Sequence, residues 1–171
     1  MNARSFPQPA LRPFLPDDGP PVAQIFRDSI VELTGDDYDE AQQAAWIACA
    51  GDEGAFIRRL GEELTLVATI AGSPVGFISV KGQDHIDMLY VHPSVAKSGV
   101  ATLLCDAVER IARARGIAKL TVDASDTARG FFTKHGFFAL HRQTMPCGEE
   151  WLGNTHMEKR LNAEQAKEPP R

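Results

Sequence analysis

The first third of the chain carries apolar residues at helical spacing. In the stretch VAQIFRDSIVEL the apolar positions recur about once per helical turn, and aspartates and prolines stand before it, where a first turn is capped. An earlier stretch contains Pro13, which has no N–H to give to a central ladder and so favours a sheet edge. We therefore predict an edge strand within residues 10–18, followed by helices at 22–33, 39–50 and 53–62.

The rest of the chain alternates β-rich runs with two helical stretches. The first two runs are joined by AGS, a hairpin signal, and the long helical stretch ends at Gly116, which suits a left-handed cap. This order predicts a mixed α/β (α+β) fold with much hairpin character. The predicted strands are residues 64–70, 74–80, 85–91, 118–125, 137–143 and 154–161, and the predicted helices are 99–115 and 126–136.

No long linker or repeat divides the pattern, so we predict one domain at residues 9–161. Residues 1–8 are expected to form a flexible arm, and residues 162–171 to form a disordered tail because they are polar and carry few apolar groups.

Composition narrows the class of protein. The chain has 171 residues, of which 43% are hydrophobic and 24% charged, as in ordinary globular domains. A net charge of -5 argues against nucleic-acid partners, and no apolar run suits a membrane span or a signal peptide. Cys49, Cys105 and Cys147 are far apart, with neither a disulfide framework nor a metal-ligand spacing. These features predict a reduced, cytoplasmic protein without a metal site.

The connection between the third β-rich run and the long helix can receive an anion. The first turn of a helix leaves N–H groups without internal acceptors, and the helix dipole favours negative charge there. Gly99 and Ala101 leave space at this turn, Lys97 adds a positive charge, and Ser98 and Thr102 add hydroxyls. Small residues are also common in ordinary strand–helix connections, and a single glycine makes neither a P-loop nor a dinucleotide motif.

Residues 86–137 resemble the core of the GCN5-related N-acetyltransferases. Their strand ends in LYV and is followed by His92-Pro93, the loop AKSGVA and the long helix; a second strand, a phenylalanine pair and Gly136-Phe137 follow. The resemblance implies a mostly antiparallel sheet of about seven strands with four to five flanking helices. It also implies direct, acetyl-CoA-dependent acetyl transfer to a primary amine of a small molecule or peptide, and it allows a homodimer, since dimers are common in the family.

The resemblance implies a donor site as well. The backbone of Leu89–Val91, including Tyr90, would pair with the pantetheine arm, and an N–H near Val91 would polarise the thioester carbonyl. Ser125 stands where the family often has a cofactor-binding Asn. Phe132 stands where many members have a tyrosine that protonates the leaving thiolate. The loop amides that would hold the pyrophosphate are those of Lys97, Ser98, Gly99, Val100, Ala101 and Thr102.

Two positions depart from the family pattern, and both concern the chemistry. Ala96 replaces the usual Gln or Arg of the loop, which leaves Lys97 as the charged side chain there. Phenylalanine at position 132 cannot donate a proton. These departures leave open a protein that binds acetyl-CoA but catalyses little, or an acyltransferase that uses another acyl-CoA or an alcohol acceptor.

Three residues are candidates for moving protons. Asp87 is the first choice as base, because strand alternation puts it on the same side as Leu89 and Val91. His85 shares that face, and histidine is a common general base; Tyr38 lies in an acidic loop, and the resemblance implies that this loop borders the acceptor site. Each also has a structural interpretation: a solvated aspartate, a turn histidine and a loop tyrosine.

Overall fold

The computed structural model describes residues 7–162, and these contain one sheet of seven strands and five α-helices. The sheet order is β1-β2-β3-β4-β5-β7-β6, and its neighbours are antiparallel except for β4 and β5. The predicted arm and tail lie outside the described residues, apart from residues 7, 8 and 162. The strands are β1 (Ala10–Pro13), β2 (Leu64–Ile70), β3 (Ser73–Lys81), β4 (His85–Val91), β5 (Lys119–Ser125), β6 (Phe138–Cys147) and β7 (Glu150–Arg160). The helices are α1 (Gly19–Leu33), α2 (Glu40–Cys49), α3 (Glu53–Glu62), α4 (Val100–Ala114) and α5 (Arg129–Lys134).

Each face of the sheet is covered by helices. The long amphipathic helix α4 packs on one face, where Leu104 and Val108 join the apolar side chains of β2 to β5. Helices α1 and α3 pack on the other face, where Ile30 and Leu60 meet Phe77 of β3. The predicted mixed, mostly antiparallel fold with about seven strands is therefore confirmed.

The middle of the sheet opens between β4 and β5. These parallel strands pair only at His85 with Thr121 and at Ile86 with Val122, and no further pairing continues along β4. A second irregularity lies on the other edge of β4: Ser79 faces Met88 and Val80 faces Ile86, so Asp87 is an extra residue in the ladder. Such a bulge bends its strand and turns the local side chains. The sheet therefore has a gap along the second half of β4.

The last hairpin is longer than the sequence predicts. A loop was expected between 143 and 154, whereas β6 runs on to Cys147 and β7 begins at Glu150. Pro146 lies within β6 because this strand is at the sheet edge, where a residue without an N–H is tolerated. The hairpin therefore extends past the sheet and toward α2.

The prediction of three separate, reduced cysteines is wrong in this structure. Cys49 at the end of α2 and Cys147 at the end of β6 form a disulfide across a Cα–Cα distance of 6.0 Å. The sequence could not reveal this pair, because its members are 98 residues apart and meet only through the tertiary fold. Cys105 is a free, buried thiol in α4. Among residues 7–162, no helix is long and apolar enough to cross a membrane.

Candidate active site

Two cavities meet at the gap between β4 and β5. The larger cavity, of about 470 Å³, reaches from the gap to the loop before α4. The smaller cavity, of about 210 Å³, lies toward α2 and the β6–β7 hairpin and contains Asp87 and Asp123. A molecule that occupies one cavity can thus contact a molecule in the other. The residues that line both cavities are Trp46, Leu89, Tyr90, Ser125 and Ala128.

The loop before α4 is shaped to expose backbone N–H groups. Lys97 and Gly99 have positive φ values of 60° and 94°, which turn the chain into the helix. The first helical hydrogen bond runs from the Leu103 N–H to the Gly99 carbonyl, so the N–H groups of residues 100–102 have no acceptor inside the helix. A Cβ added at Gly99 would meet no atom within 4 Å. The end of the larger cavity is thus open, rich in N–H donors and suited to a phosphate group.

Four of the six predicted loop residues line the larger cavity, namely Lys97, Gly99, Ala101 and Thr102. Ser98 does not: its N–H and its hydroxyl both donate to the Val95 carbonyl. The Val100 side chain packs in the core, so this residue offers only its main chain. The Thr102 hydroxyl lies 3.1 Å from His135 Nε2, which joins α4 to the end of α5.

The backbone of β4 offers unpaired groups to the gap. The His92 N–H donates to the Val75 carbonyl of β3. Tyr90, two residues before His92, is paired with Phe77. Hydrogen-bonded pairs recur at every second residue of an antiparallel ladder, so the main-chain groups of Leu89 and Val91 point away from β3 and into the gap. Ser29 Oγ already donates to the Val91 carbonyl at 3.0 Å, which leaves the Val91 N–H facing the larger cavity.

The bulge places Asp87 on the face covered by α3. Strand alternation predicts a shared side with Leu89 and Val91, and that prediction is wrong because the extra residue changes the alternation. Arg59 Nη2 of α3 lies 2.7 Å from Asp87 Oδ1 and 2.6 Å from Oδ2. Asp87 lines the smaller cavity with a side chain that is 11% exposed. It is therefore a nearly buried carboxylate, paired with one cation and next to the gap.

His85 lies beyond the closed end of the gap. Its Nδ1 is 2.8 Å from Thr121 Oγ1, and its Nε2 is 3.7 Å from Asp123 Oδ2. His85 does not line either cavity, whereas Asp123 lines the smaller one. The structure therefore separates two residues that the sequence placed together as candidate bases.

Tyr38 is held on both sides of its hydroxyl. It donates to the Gly153 carbonyl at 2.6 Å and accepts from the Asp126 N–H at 2.9 Å, and burial raises its pKa. Only 4% of Tyr38 is exposed, although it lines the smaller cavity. These contacts join the loop after α1 to β7, which is the arrangement of a structural residue; its catalytic role stays a prediction.

The aromatic residues at the junction are arranged around Tyr90. Trp46 Nε1 donates to the Tyr90 hydroxyl at 3.1 Å, and both residues line both cavities. Ser125 also lines both, and its Oγ accepts from the Ala128 N–H at 3.1 Å. Phe132, only 2% exposed, packs against Phe137 and borders the smaller cavity, where it offers no proton.

Sequence reasoning missed Glu63, which follows α3 and lies next to Asp87 and Arg59. Burial, together with a hydrogen bond and the charge of Asp87, raises the Glu63 pKa to about 7, while Ser79 and Arg59 act in the opposite direction. In the sequence, a glutamate just after a predicted helix cannot be told apart from an ordinary solvent-exposed glutamate. The raised Glu63 pKa arises only in the folded protein, where the packing of α3 brings this side chain next to Asp87 of β4.

Residues 35–161 match the family model described as acetyltransferase (GNAT) domain. The chain belongs to the GNAT acetyltransferase family. It is an N-acetyltransferase, and the acetyl donor that suits this family is acetyl-CoA.

Individual relatives agree with this assignment. The chain is 33% identical over 147 residues to YafP of Escherichia coli K12, described as an uncharacterized N-acetyltransferase, covering 86% of this chain and 93% of YafP. A GCN5-related N-acetyltransferase structure from Rhodopseudomonas palustris is 53% identical, with a TM-score of 0.88, covering 94% of this chain and 100% of that one. The PaiA N-acetyltransferase from Thermoplasma acidophilum, solved with coenzyme A, has the same fold at 19% identity, with a TM-score of 0.74 and coverage of 90% and 99%.

Proposed function

We propose that this acetyltransferase moves the acetyl group of acetyl-CoA directly to a primary amine of a small molecule or peptide, in the gap between β4 and β5. The observation that carries the proposal is that the two cavities meet at the unpaired edge of β4. One cavity ends in a loop of free N–H groups and the other contains Asp87. A donor and an acceptor can thus approach the same backbone groups from opposite sides.

The larger cavity supports the binding of acetyl-CoA. N–H groups at the start of α4, with Lys97 beside them, would hold the pyrophosphate. The main-chain groups of Leu89 and Val91 would hold the pantetheine arm as a neighbouring strand would, and the Val91 N–H would donate to the thioester oxygen as negative charge develops there. The PaiA protein, which shares this fold, was solved with coenzyme A.

The smaller cavity supports an amine acceptor. An amine attacks only as its neutral form, so the group beside it must be able to take a proton, and a carboxylate also attracts the incoming ammonium. Asp87 meets both needs and lines the cavity together with Asp123. As the amine nitrogen bonds to the acetyl carbon, the carbon–sulfur bond breaks, the nitrogen proton passes to Asp87 and the thiolate leaves.

The departing thiolate has no phenolic donor at position 132. A thiolate is a fairly good leaving group, so the loss of an acid that is commonly worth roughly 10²–10⁴-fold slows the reaction without preventing it. The Tyr38 hydroxyl donates its hydrogen bond to the Gly153 carbonyl at 2.6 Å and would have to leave that acceptor to protonate the thiolate. We therefore propose that solvent, after product release or through the gap, supplies this proton.

A panel experiment tests the proposal. The protein is incubated with acetyl-CoA and with amines of increasing size, from alkyl and aryl monoamines to peptides with a free N-terminus, and released thiol is measured. We expect turnover with at least one amine and a mass gain of one acetyl group on it. Binding of acetyl-CoA without turnover on any acceptor would instead indicate a binding module, and turnover only with a longer acyl-CoA would indicate a different donor.

A further inference from the structure

We propose that Glu63 is a positioning residue for acetyl transfer: it shares a single proton with Asp87 from behind the smaller cavity and thereby orients the Asp87 carboxylate toward the amine. The inference rests on the proposed function only for the role of Asp87 as base. The shared proton itself follows from the packing of α3 against β3 and β4.

The carboxyl groups of Asp87 and Glu63 share one cation, the guanidinium of Arg59. Arg59 approaches both oxygens of Asp87, at 2.7 and 2.6 Å, while its Nε lies 3.6 Å from Glu63 Oε1. The Asp87 and Glu63 side chains are only 11% and 10% exposed. One positive charge therefore faces two nearly buried acids, and burying a carboxylate whose charge is not matched is costly.

Among residues 7–162, buried Glu63 Oε2 has no hydrogen-bond donor, whereas Asp87 Oδ2 is held by the ion pair with Arg59 at 2.6 Å. Two ionised carboxylates cannot bond to each other, because both only accept. One proton on Glu63 removes the conflict, since it makes Glu63 a donor to Asp87 and leaves a net charge of zero with Arg59. A buried polar network is stable only when each group has a partner, so the packing favours this singly protonated pair.

The electrostatics of the surrounding groups agree with the geometry. The Glu63 pKa is raised to about 7 by burial and by the hydrogen bond and charge of Asp87, against the opposing effects of Ser79 and Arg59. Tyr90 is the next titratable group along the face: burial raises its pKa, while Asp87 raises it further and Arg59 lowers it. The groups that act on Glu63 are thus Arg59 of α3, Ser79 of β3 and Asp87 of β4, and Tyr90 of β4 interacts with Asp87 and Arg59.

The shared proton gives the pair two states near neutral pH. With the proton present, Glu63 donates a hydrogen bond to Asp87 and fixes the orientation of the Asp87 carboxylate. The pair then takes up a further proton from the amine less readily. With the proton lost, the pair is doubly ionised and accepts a proton from the amine more readily. The proton that the amine releases then resides on the pair until it passes to solvent, so charges and protons balance over one turnover.

A titration of the substrate-free protein tests the shared proton without any assay of activity. Side-chain carboxyl carbons are labelled in glutamate and followed by NMR from about pH 5 to about pH 9. We expect one glutamate carboxyl to titrate near pH 7 in the wild type and in Glu62→Gln, an exposed neighbour, and this signal to be lost in Glu63→Gln. If Glu63→Gln does not fold, Ser79→Ala serves instead: removing the hydroxyl that lowers the Glu63 pKa should move the midpoint upward. A midpoint near the ordinary glutamate value in the wild type would overturn the proposal.

The positioning role is tested by the ratio of wild-type to Glu63→Gln kcat across the same pH range, with the amine found by the panel. Glutamine keeps an N–H for Asp87 but cannot ionise, so we expect a ratio near one at about pH 6 that rises to roughly tenfold at about pH 8.5. The ratio cancels the titration of the amine itself. A ratio that is constant with pH would show a merely structural effect and overturn the positioning role. If no amine is acetylated, the NMR midpoint still decides whether the proton is shared, so failure of the proposed function and failure of the shared proton give different results.

Discussion

At the scale of single residues, the proposed base Asp87 is defined by the charged groups around it, Arg59 and Glu63. Its identity as a candidate base could be read from the sequence, since Asp87 is the acid that shortly precedes Leu89 and Val91 in the same predicted strand. Its orientation could not, because the bulge at Asp87 reverses the alternation on which the prediction rested. Glu63 and Arg59 gave no sequence signal at all, since their effect on Asp87 arises only through tertiary packing.

We predict that Asp87→Asn lowers kcat by roughly 10²-fold or more near neutral pH, because general base catalysis is commonly worth this much. The loss should shrink as the pH approaches the pKa of the amine, which is about 10 for a lysine-like amine, since less ammonium then needs a base. The measurement is thiol release against pH, with Asp106→Asn on the exposed side of α4 as the matched control. A pH–rate profile for Asp87→Asn that parallels the wild type at similar rate would exclude Asp87 as the base.

At the scale of helices and strands, local sequence patterns predict most of the element bounds. The bounds of α3, β2 and β4 follow the predicted runs to the residue, because amphipathic spacing and β-branched runs are local properties. The opening between β4 and β5 and the length of β6 depend on non-local pairing and could not be read in this way. Both cavities nevertheless lie at this gap, so the least predictable part of the sheet is the part where we propose that acetyl transfer takes place.

The contact between β3 and α4 provides a test at this scale. A Cβ at Gly76 would lie 3.1 Å from Val100 Cγ1 and 3.2 Å from the Tyr90 carbonyl oxygen, at the start of α4 and beside the gap. We predict that Gly76→Ala destabilises the fold by about 1–3 kcal/mol through overpacking and weakens acetyl-CoA binding. Gly61→Ala in α3 is the matched control, because its Cβ meets nothing within 4 Å, and it should stabilise by up to about 1 kcal/mol. Urea unfolding measures the free energy of unfolding of both variants. Equal changes in this free energy for Gly76→Ala and Gly61→Ala would contradict the packing described here.

At the scale of the whole molecule, the Cys49–Cys147 disulfide joins two walls of the smaller cavity. Trp46 of α2 lines one wall, and Met145 and Leu152 of the β6–β7 hairpin line the other. The sequence predicted reduced cysteines and a cytoplasmic location, and only the first of these is addressed by the structure. A link across the cavity restricts how far α2 and the hairpin can separate, and so how wide a molecule in the smaller cavity can be.

We predict one reactive thiol per denatured, oxidised chain and three after reduction. The one thiol is Cys105, whose pKa burial raises to about 12 in the folded protein, so it should react only after unfolding. Thiol titration in denaturant, without and with prior reduction, gives the counts. Cys49→Ser should leave two free thiols without reduction, whereas three in the untreated wild type would show that the pair is not formed.

The most direct test of the account is calorimetric titration of acetyl-CoA into the wild type and Gly99→Glu. The glutamate would place a negative charge at the open end of the larger cavity, among the N–H groups that would hold the pyrophosphate. Gly72→Glu is the control, because Gly72 also has a positive φ and open space around its Cβ but lies in the β2–β3 turn. We predict binding to the wild type and to Gly72→Glu and no measurable binding to a folded Gly99→Glu. Unchanged affinity in Gly99→Glu would contradict the assignment of the α4 loop as the phosphate site.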